Sequence, residues 1–409
     1  MSPPTSTPTA AGARRKRKPS RKDQLLKVAV HLFYERGFHE TGIDDIGQAA
    51  GITGPGIYRH FTGKDDILST ALELGISQIL HRVDDIVSHA ATPEDTLRQL
   101  IRNFIRATLN DPELASILLN DRRVFTPETR QMVDDAERHH FNQWIKPLKA
   151  LRPDIPAAER RMRVYATAGL LAAVIRAPAR VSRTRLEALM QEMAEASLLG
   201  DRPGKRASSN GAAASPARRA AGRAPRLRRR DVILNVAAEM FAERGYVDTG
   251  IDEIGTAAGI TGPGIYRHFA GKEDLLQSVI DQAVEHLLLV DQGALTAEGK
   301  PEVVFRNALV ALVNEVRNHP AHARVAWNEQ RSLAPDARAR LLEFNRNRAR
   351  QWVAVLARVR PEQPNTELFT MITGLYGMII EGSQHAAGVS EERARELLVD
   401  MALRVGVPR

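Results

Sequence analysis

The chain has 409 residues, 43% of them hydrophobic and 26% charged, with no cysteine and a formal net charge of +9. That length suits two or three domains, each able to bury its own core. Disulfides are excluded, no stretch approaches the ~18 apolar residues of a membrane span, and no apolar run follows the basic N-terminus as a secretory signal would require.

The charge is uneven. Residues 1–22 hold seven Lys/Arg and no acid, and residues 201–230 hold ten with the single acid Asp201, so the remainder is net acidic. The first basic run includes Arg14, Arg15, Lys16, Arg17 and Lys18; the second includes Arg226, Arg228, Arg229 and Arg230. Each run ends where a helical pattern begins, as expected of arms that meet nucleic acid.

In chain order, residues 1–22 are poor in apolar side chains and are expected to be a disordered arm. From residue 23, Leu25, Leu26, Ala29, Leu32 and Phe33 recur at helical spacing, and Gly37 is placed to end that helix. Thr41 with Asp44 resembles an N-cap and its acid, opening a short helix that buries Ile46, Ala49 and Ala50. Gly51 and Ile52 make a turn, and Thr53 caps a helix expected to run to Phe61, with Pro55 in its first turn. A further helix opens at Lys64. Residues 71–199 read as helices broken at Pro93, Pro112, Pro127, Pro147 and Pro153, with none of the alternation that marks strands. Residues 200–230 read as a flexible linker.

The same pattern then restarts. Shifting the sequence by 208 positions pairs Gly37 with Gly245, Pro93 with Pro301, Asn120 with Asn328, Trp144 with Trp352 and Met193 with Met401, without a gap. GITGPGIYRHF stands unchanged at 51–61 and 259–269. The fold expected is therefore all-α and duplicated: a short-helix unit at 23–70 with a larger helical domain at 71–199, and a second pair at 231–278 and 279–409.

Two short helices around a glycine turn form a helix-turn-helix, whose second helix enters the major groove. Gly54 and Gly56 let the backbone approach DNA, Pro55 can meet a thymine methyl, and Arg59 has the fork for guanine or phosphate. Thr41, Tyr58, His60 and Lys64 can donate to phosphates. A Gly-rich phosphate loop is a poor alternative, because such loops follow a strand and open a long helix.

At residues 33–68 and 241–276 the chain resembles the TetR family of bacterial repressors, over the run from helix and Gly-aromatic through Ile-Gly-x-Ala-Ala-Gly-Ile-Thr and Tyr-x-His-Phe to Gly-Lys-x-x-Leu. The resemblance implies three DNA-binding helices and a larger helical domain for ligand binding and dimerisation. It implies phosphate contacts from Thr41, Tyr58, His60 and Lys64, and base reading by Thr53, Gly54, Pro55, Gly56 and Arg59. In the second copy the matching residues are Thr249, Tyr266, His268 and Lys272, with Thr261, Gly262, Pro263, Gly264 and Arg267. Gly42 and Gly250 replace a second Thr or Ser of the family pattern, which weakens that phosphate contact.

The last helix pairs, 159–176 with 184–199 and 366–381 with 391–405, are small-residue rich and suit an intrachain pseudo-dimer, with a homodimer as the alternative. Asn120 and Asn328 recur in the presumed ligand domains as candidate pocket groups, though a structural pairing is the plainer role. Phe61, Phe269, Trp144 and Trp352 read as core. His139-His140 becomes Asn347-Arg348, so no shared metal site is expected, and no cofactor.

The function expected is a cytoplasmic, nucleoid-associated repressor that binds a pseudo-palindromic operator in double-stranded DNA. A small apolar effector, lipid- or steroid-like, would release it. The alternatives are an architectural DNA-binding protein relying on its arms, and an enzyme with a DNA module. The latter lacks any nucleophile–base motif, metal spacing or phosphate loop.

Overall fold

The computed structural model describes residues 20–120, 122–176, 181–200, 228–260 and 262–408. Arg14, Arg15, Lys16, Arg17, Lys18, Arg226 and Thr261, with most of both basic stretches, lie outside these. Every regular element among the described residues is helical. The chain forms two compact units, 1–74 and 75–409, whose boundary falls inside one helix.

In the first unit, α1 (Arg21–Arg36), α2 (Ile43–Ala50) and α3 (Gly54–Ile57) lead into α4 (Lys64–His89). Helix α1 starts two residues before the position expected from the apolar spacing, because Ser20 caps it. The Ser20 hydroxyl accepts the Asp23 N–H at 3.1 Å, and the Asp23 carboxylate accepts the Ser20 N–H at 2.9 Å. Leu25, Leu26, Ala29 and Phe33 are buried, as are Ile46, Ile57, Phe61 and Ile67. Gly37 leaves α1 at φ 95°, and Gly51 turns the chain from α2 to α3 at φ 64°, in the left-handed region that glycine occupies cheaply.

Two local expectations are corrected. The N-cap of α2 is Gly42, not Thr41, and its N–H is held by the Asp45 carboxylate at 2.8 Å. The acid that caps is thus one residue later than expected. The reading helix is one turn, Gly54–Ile57, rather than nine residues. Beyond Ile57 the chain continues in tight turns, with His60 N–H bonded to the Ile57 carbonyl at 2.8 Å.

The second unit continues α4 and adds α5 (Pro93–Asn110), α6 (Pro112–Asn120), α7 (Pro127–Leu151), α8 (Ala157–Ala173) and α9 (Arg183–Leu199). The second copy follows as α10 (Arg229–Arg244), α11 (Ile251–Ala257), α12 (Gly262–Ile265), α13 (Lys272–Ala294), α14 (Pro301–Asn318), α15 (Pro320–Asn328), α16 (Pro335–Val359), α17 (Asn365–Gln384) and α18 (Glu391–Gly406). Prolines 93, 112, 127, 301, 320 and 335 each open a helix, where the missing N–H costs nothing. Pro147 does not break a helix as expected; it sits buried inside α7, one turn before the end.

The second helix-turn-helix unit shares a core with the body behind it. Ile233, Phe241, Ile254, Ile265, Phe269 and Leu275 cluster with Val325, Leu333 and Leu341 of the α15–α16 region. Burial of each such large side chain contributes ~1.5–3 kcal/mol.

Helices α8, α9, α17 and α18 pack together, with α8 running against α17. Gly169 and Gly377, which correspond under the 208-residue shift, face one another. A Cβ on Gly169 would lie 2.7 Å from the Gly377 carbonyl oxygen, and a Cβ on Gly377 2.5 Å from the Gly169 oxygen. Only two glycines permit so close a crossing. Arg185 donates to Glu367 at 2.9 and 2.8 Å, and Arg393 donates to Glu159 at 3.0 and 3.0 Å. Shifted by 208, each pair becomes the other, which is the reciprocity of a two-fold interface.

Candidate nucleic-acid interface and ligand cavity

The turn between α2 and α3 presents Thr53, Pro55, Tyr58, Arg59 and His60 together as exposed residues. Tyr58 is 61% exposed, so it does not act as a packing residue. Beneath them Ile57 and Phe61 are buried, and these anchor the short segment that carries the polar set. The second copy repeats the arrangement: Tyr266 is 54% exposed, Arg267 and His268 are exposed, and Ile265 and Phe269 are buried. Gly54 and Gly262 open the two one-turn helices, Pro263 follows Gly262, and Gly264 occupies the third position. The bareness of Gly56 serves packing too, since a Cβ there would meet Ile52 Cγ2 at 2.6 Å.

Thr41 and Thr249 do not join this surface. Both are fully buried, with hydroxyls that donate to the carbonyls of Gly37 and Gly245 at 2.7 and 2.8 Å. Their side chains close the turn after the first helix and cannot reach a phosphate. Lys64 is similarly engaged: its ammonium donates to the carbonyls of Phe38, His39 and Thr41 at 2.9, 3.3 and 3.4 Å. Lys272 donates to the Val247 carbonyl at 2.9 Å, and burial pulls its pKa below the ordinary lysine value. These lysines tie the turn to the next helix while remaining partly exposed.

The residues that follow each basic run, from Ser20 and from Arg228, are held in helices. Lys22 lies over the Phe61 ring at 5.1 Å, and its counterpart Arg230 lies over Phe269 at 4.8 Å while donating to Ser278 at 3.0 Å. Arg228 caps α10, and Arg229 and Arg230 form its first turn. Three exposed arginines at the positive end of a helix repel it, and an anion placed there relieves that cost.

Within the second unit a cavity of about 610 Å³ opens from the first body onto the second copy. Its apolar wall includes Ile79, Phe104, Val133, Phe141 and Ala168, from α4, α5, α7 and α8. The second copy supplies the rest: Phe241 to Gly245 from the end of α10, Arg324 to Glu329 from α15, and Glu381 to His385 from the end of α17. Asn328 lines this cavity, whereas the Asn120 side chain lies outside the described residues. Of the expected polar pair, one member is thus placed at a cavity, and in the other copy's body rather than its own.

Sequence reasoning missed His140, which lines the cavity and is 6% exposed with no hydrogen-bond partner at either ring nitrogen. Burial lowers its pKa to about 4, so the imidazole is neutral near pH 7. Arg324 was missed as well. It lines the same cavity, and burial pulls its pKa below the ordinary arginine value. The only sequence signal available was the loss of match at these positions between the copies. No helix among the described residues is long and apolar enough to cross a membrane.

The family model for bacterial regulatory proteins of the tetR family matches twice, at residues 25–71 and 233–279. The fatty acid metabolism regulator protein of Bacillus subtilis is 25% identical over 119 residues, 29% of this chain and 61% of that protein. The HTH-type transcriptional repressor KstR2 of Mycobacterium tuberculosis is 29% identical over 129 residues, 31% of this chain and 64% of that protein. The chain thus spans about three-fifths of the length of these relatives. A TetR-family transcriptional regulator from Bordetella parapertussis superposes with a TM-score of 0.41 at 18% identity, over 42% of this chain and 92% of its own. With two matched helix-turn-helix units, 208 residues apart and identical through the reading turn, the chain is a tandem duplication whose residues 25–71 and 233–279 each match the model for bacterial regulatory proteins of the tetR family.

Proposed function

We propose that the protein is a sequence-specific, ligand-responsive DNA-binding regulator, acting as a repressor in the bacterial cytoplasm. The observation that carries this reading is the unchanged eleven-residue turn, presented in both copies with Tyr, Arg and His exposed over a buried Ile and Phe. Units 23–70 and 231–278 are its reading heads. Arg59 and Arg267 with Thr53, Gly54, Pro55, Gly56 and their counterparts read bases, and Tyr58, His60, Tyr266 and His268 hold phosphates. Arg228 and Arg229 add sequence-independent attraction. Two identical heads call for a pseudo-palindromic operator.

The reciprocal ion pairs and glycine crossing of α8 and α17 support a chain that acts as its own dimer. The cavity of the first body supports a small effector. Similarity to a regulator of fatty acid metabolism favours one with an apolar body. All the relatives named are regulators, which argues against an enzyme.

Operator selection from random duplexes, followed by competition with bulk DNA, tests the reading. A repressor keeps a preference on the order of 10³ or more for its selected site at physiological salt. Affinity that is equal for selected and bulk DNA would instead establish the architectural alternative.

A further inference from the structure

We propose that the chain senses its effector in the first body alone, by seating an amphipathic anion in the cavity described above, and that the occupied cavity acts on the second DNA-binding unit. This rests on the reading of the chain as a ligand-responsive regulator. The 208-residue shift shows why one body is hollow. In the second body Asp291 accepts from Arg348 at 2.6 Å and from the Trp352 indole at 3.0 Å, and the Arg348 guanidinium lies 4.9 Å over the Tyr376 ring. The matching positions in the first body are Val83, His140, Trp144 and Ala168. Replacing Arg by His and Tyr by Ala removes the filling. It also leaves the His140 imidazole and the Trp144 indole nitrogen buried without partners.

A buried polar group left without a partner is unfavourable unless something satisfies it. His140 therefore calls for a hydrogen-bonding group on the ligand. Arg324 feels the carboxylates of Glu381, Glu243 and Glu329 in the same wall but forms no ion pair with them, so its guanidinium is the group that an acidic head on the ligand would meet. Ile79, Phe104 and Ala168 call for an apolar body between them. The size falls within the ~300–1,000 Å³ of small-molecule sites.

The lever is α10. Its last residues line the cavity just before Gly245 turns the chain toward α11 at φ 87°. Glu329, also in the wall, accepts the Tyr246 N–H at 3.3 Å. A ligand pressing on α15 and α10 moves the turn that positions α11 and α12.

The test uses the full chain with anilinonaphthalene sulfonate and its uncharged analogue phenylnaphthylamine as fluorescent probes. One sulfonate probe should bind per chain. Ala168→Tyr, which copies the second body, should weaken it at least tenfold. Arg324→Ala, a change beside the cavity rather than in the core, should weaken the sulfonate tenfold and the uncharged probe less than twofold. Saturation should slow amide exchange at 241–246. Two probes per chain, or an unaffected Ala168→Tyr, would overturn one-sided sensing, and unchanged exchange at 241–246 would overturn the coupling. A chain that passes all of these but shows no preference among DNA sequences would sink the regulator reading and leave the site standing.

A second inference stands on a different cluster. His286 of α13 with Glu315 and His319 at the end of α14 bring one donor atom each within 4.8 Å of one another. His286 Nδ1 and His319 Nε2 lie 3.1 and 3.8 Å from Glu315 Oε1. Donors ~2.0–2.1 Å from a tetrahedral zinc ion stand roughly 3.3 Å apart. The three residues and His322 line a void of about 10 Å³, room for one ion-sized body. The first copy has Gln78, Ala107, Asp111 and Leu114 at these positions, so the cluster belongs to the second body alone.

The geometry points to a divalent transition-metal site that fastens α13 to the α14–α15 corner. Calorimetric titration of the chelator-treated full chain with zinc chloride should give one ion per chain. Magnesium should be inert, binding should fall at least tenfold in His286→Ala and His319→Ala, and it should be unchanged in His139→Ala. Absence of stoichiometric zinc, or equal binding by His286→Ala, would show an ordinary imidazole–carboxylate cluster instead.

Discussion

Asp291→Val tests the account of why the second body is filled. Asp291 and Arg348 are 3% and 10% exposed at their side chains, with the closest approach 2.6 Å, and the same carboxylate satisfies the Trp352 indole. Removing it strands a buried guanidinium and orphans an indole N–H. Breaking a buried pair by deleting one partner costs about 3–5 kcal/mol, with the indole's share included. The residue introduced is the one that the first body carries at the matching position, Val83, so the site accepts its shape. Arg348→His then removes the stranded charge and restores the first body's pair. The double variant should therefore recover at least half of the loss. Urea unfolding followed by tryptophan fluorescence measures both, and the double-mutant cycle isolates the coupling. A single variant that loses less than ~1 kcal/mol, or a double variant no better than the single, would refute the reasoning.

Four further outcomes are expected. Arg59→Ala and Arg267→Ala should each cost ~1–3 kcal/mol in operator binding and relax preference at one base position, measured by binding to single-substitution operators; equal loss on all sequences would make them phosphate contacts. Gly377→Leu should destabilise by more than ~2 kcal/mol in urea, because its Cβ alone would sit 2.5 Å from Ala173 Cβ. Arg185→Glu should cost about 1 kcal/mol, discounted because the arginine is 37% exposed, and Glu367→Arg in the same chain should return most of it. His140 contributes a pH dependence whose sign is fixed by its folded pKa of about 4, below the unfolded value near 6.5. The unfolded chain takes up the proton first, so stability is intact above ~6.5, falls as pH drops toward 4 and levels below it. His140→Phe should flatten the urea-midpoint curve between those values, and an unchanged slope would contradict a neutral buried imidazole.

The helix-turn-helix units were legible because their signals are local. Gly37, Gly51, Phe61 and the exposed set from Thr53 to His60 stand where spacing and turn chemistry put them. Thr41 misled for the same reason: a threonine before a short helix resembles a cap, and nothing nearby in sequence shows that its hydroxyl turns back to Gly37. The length of the reading helix was overestimated because Tyr58 to Phe61 continue its apolar spacing while the backbone has already tightened. Lys64 and Lys272 read as surface cations, and only the fold shows the carbonyls they hold. The cavity was beyond reach, since its walls come from Ile79 and from Arg324, residues 245 positions apart and in different copies.

The crossing of Gly169 with Gly377 carries a genetic meaning. In a dimer of identical chains, any substitution at the axis strikes twice, so a change that suits one side is imposed on both. Here the two sides of one interface are written at separate places in one reading frame. Each can vary while its partner holds the contact, and their ratio is fixed at one to one by covalent linkage. The divergence of His140 and Ala168 from Arg348 and Tyr376 is a change of this kind, open to a fused pair and closed to a symmetric one.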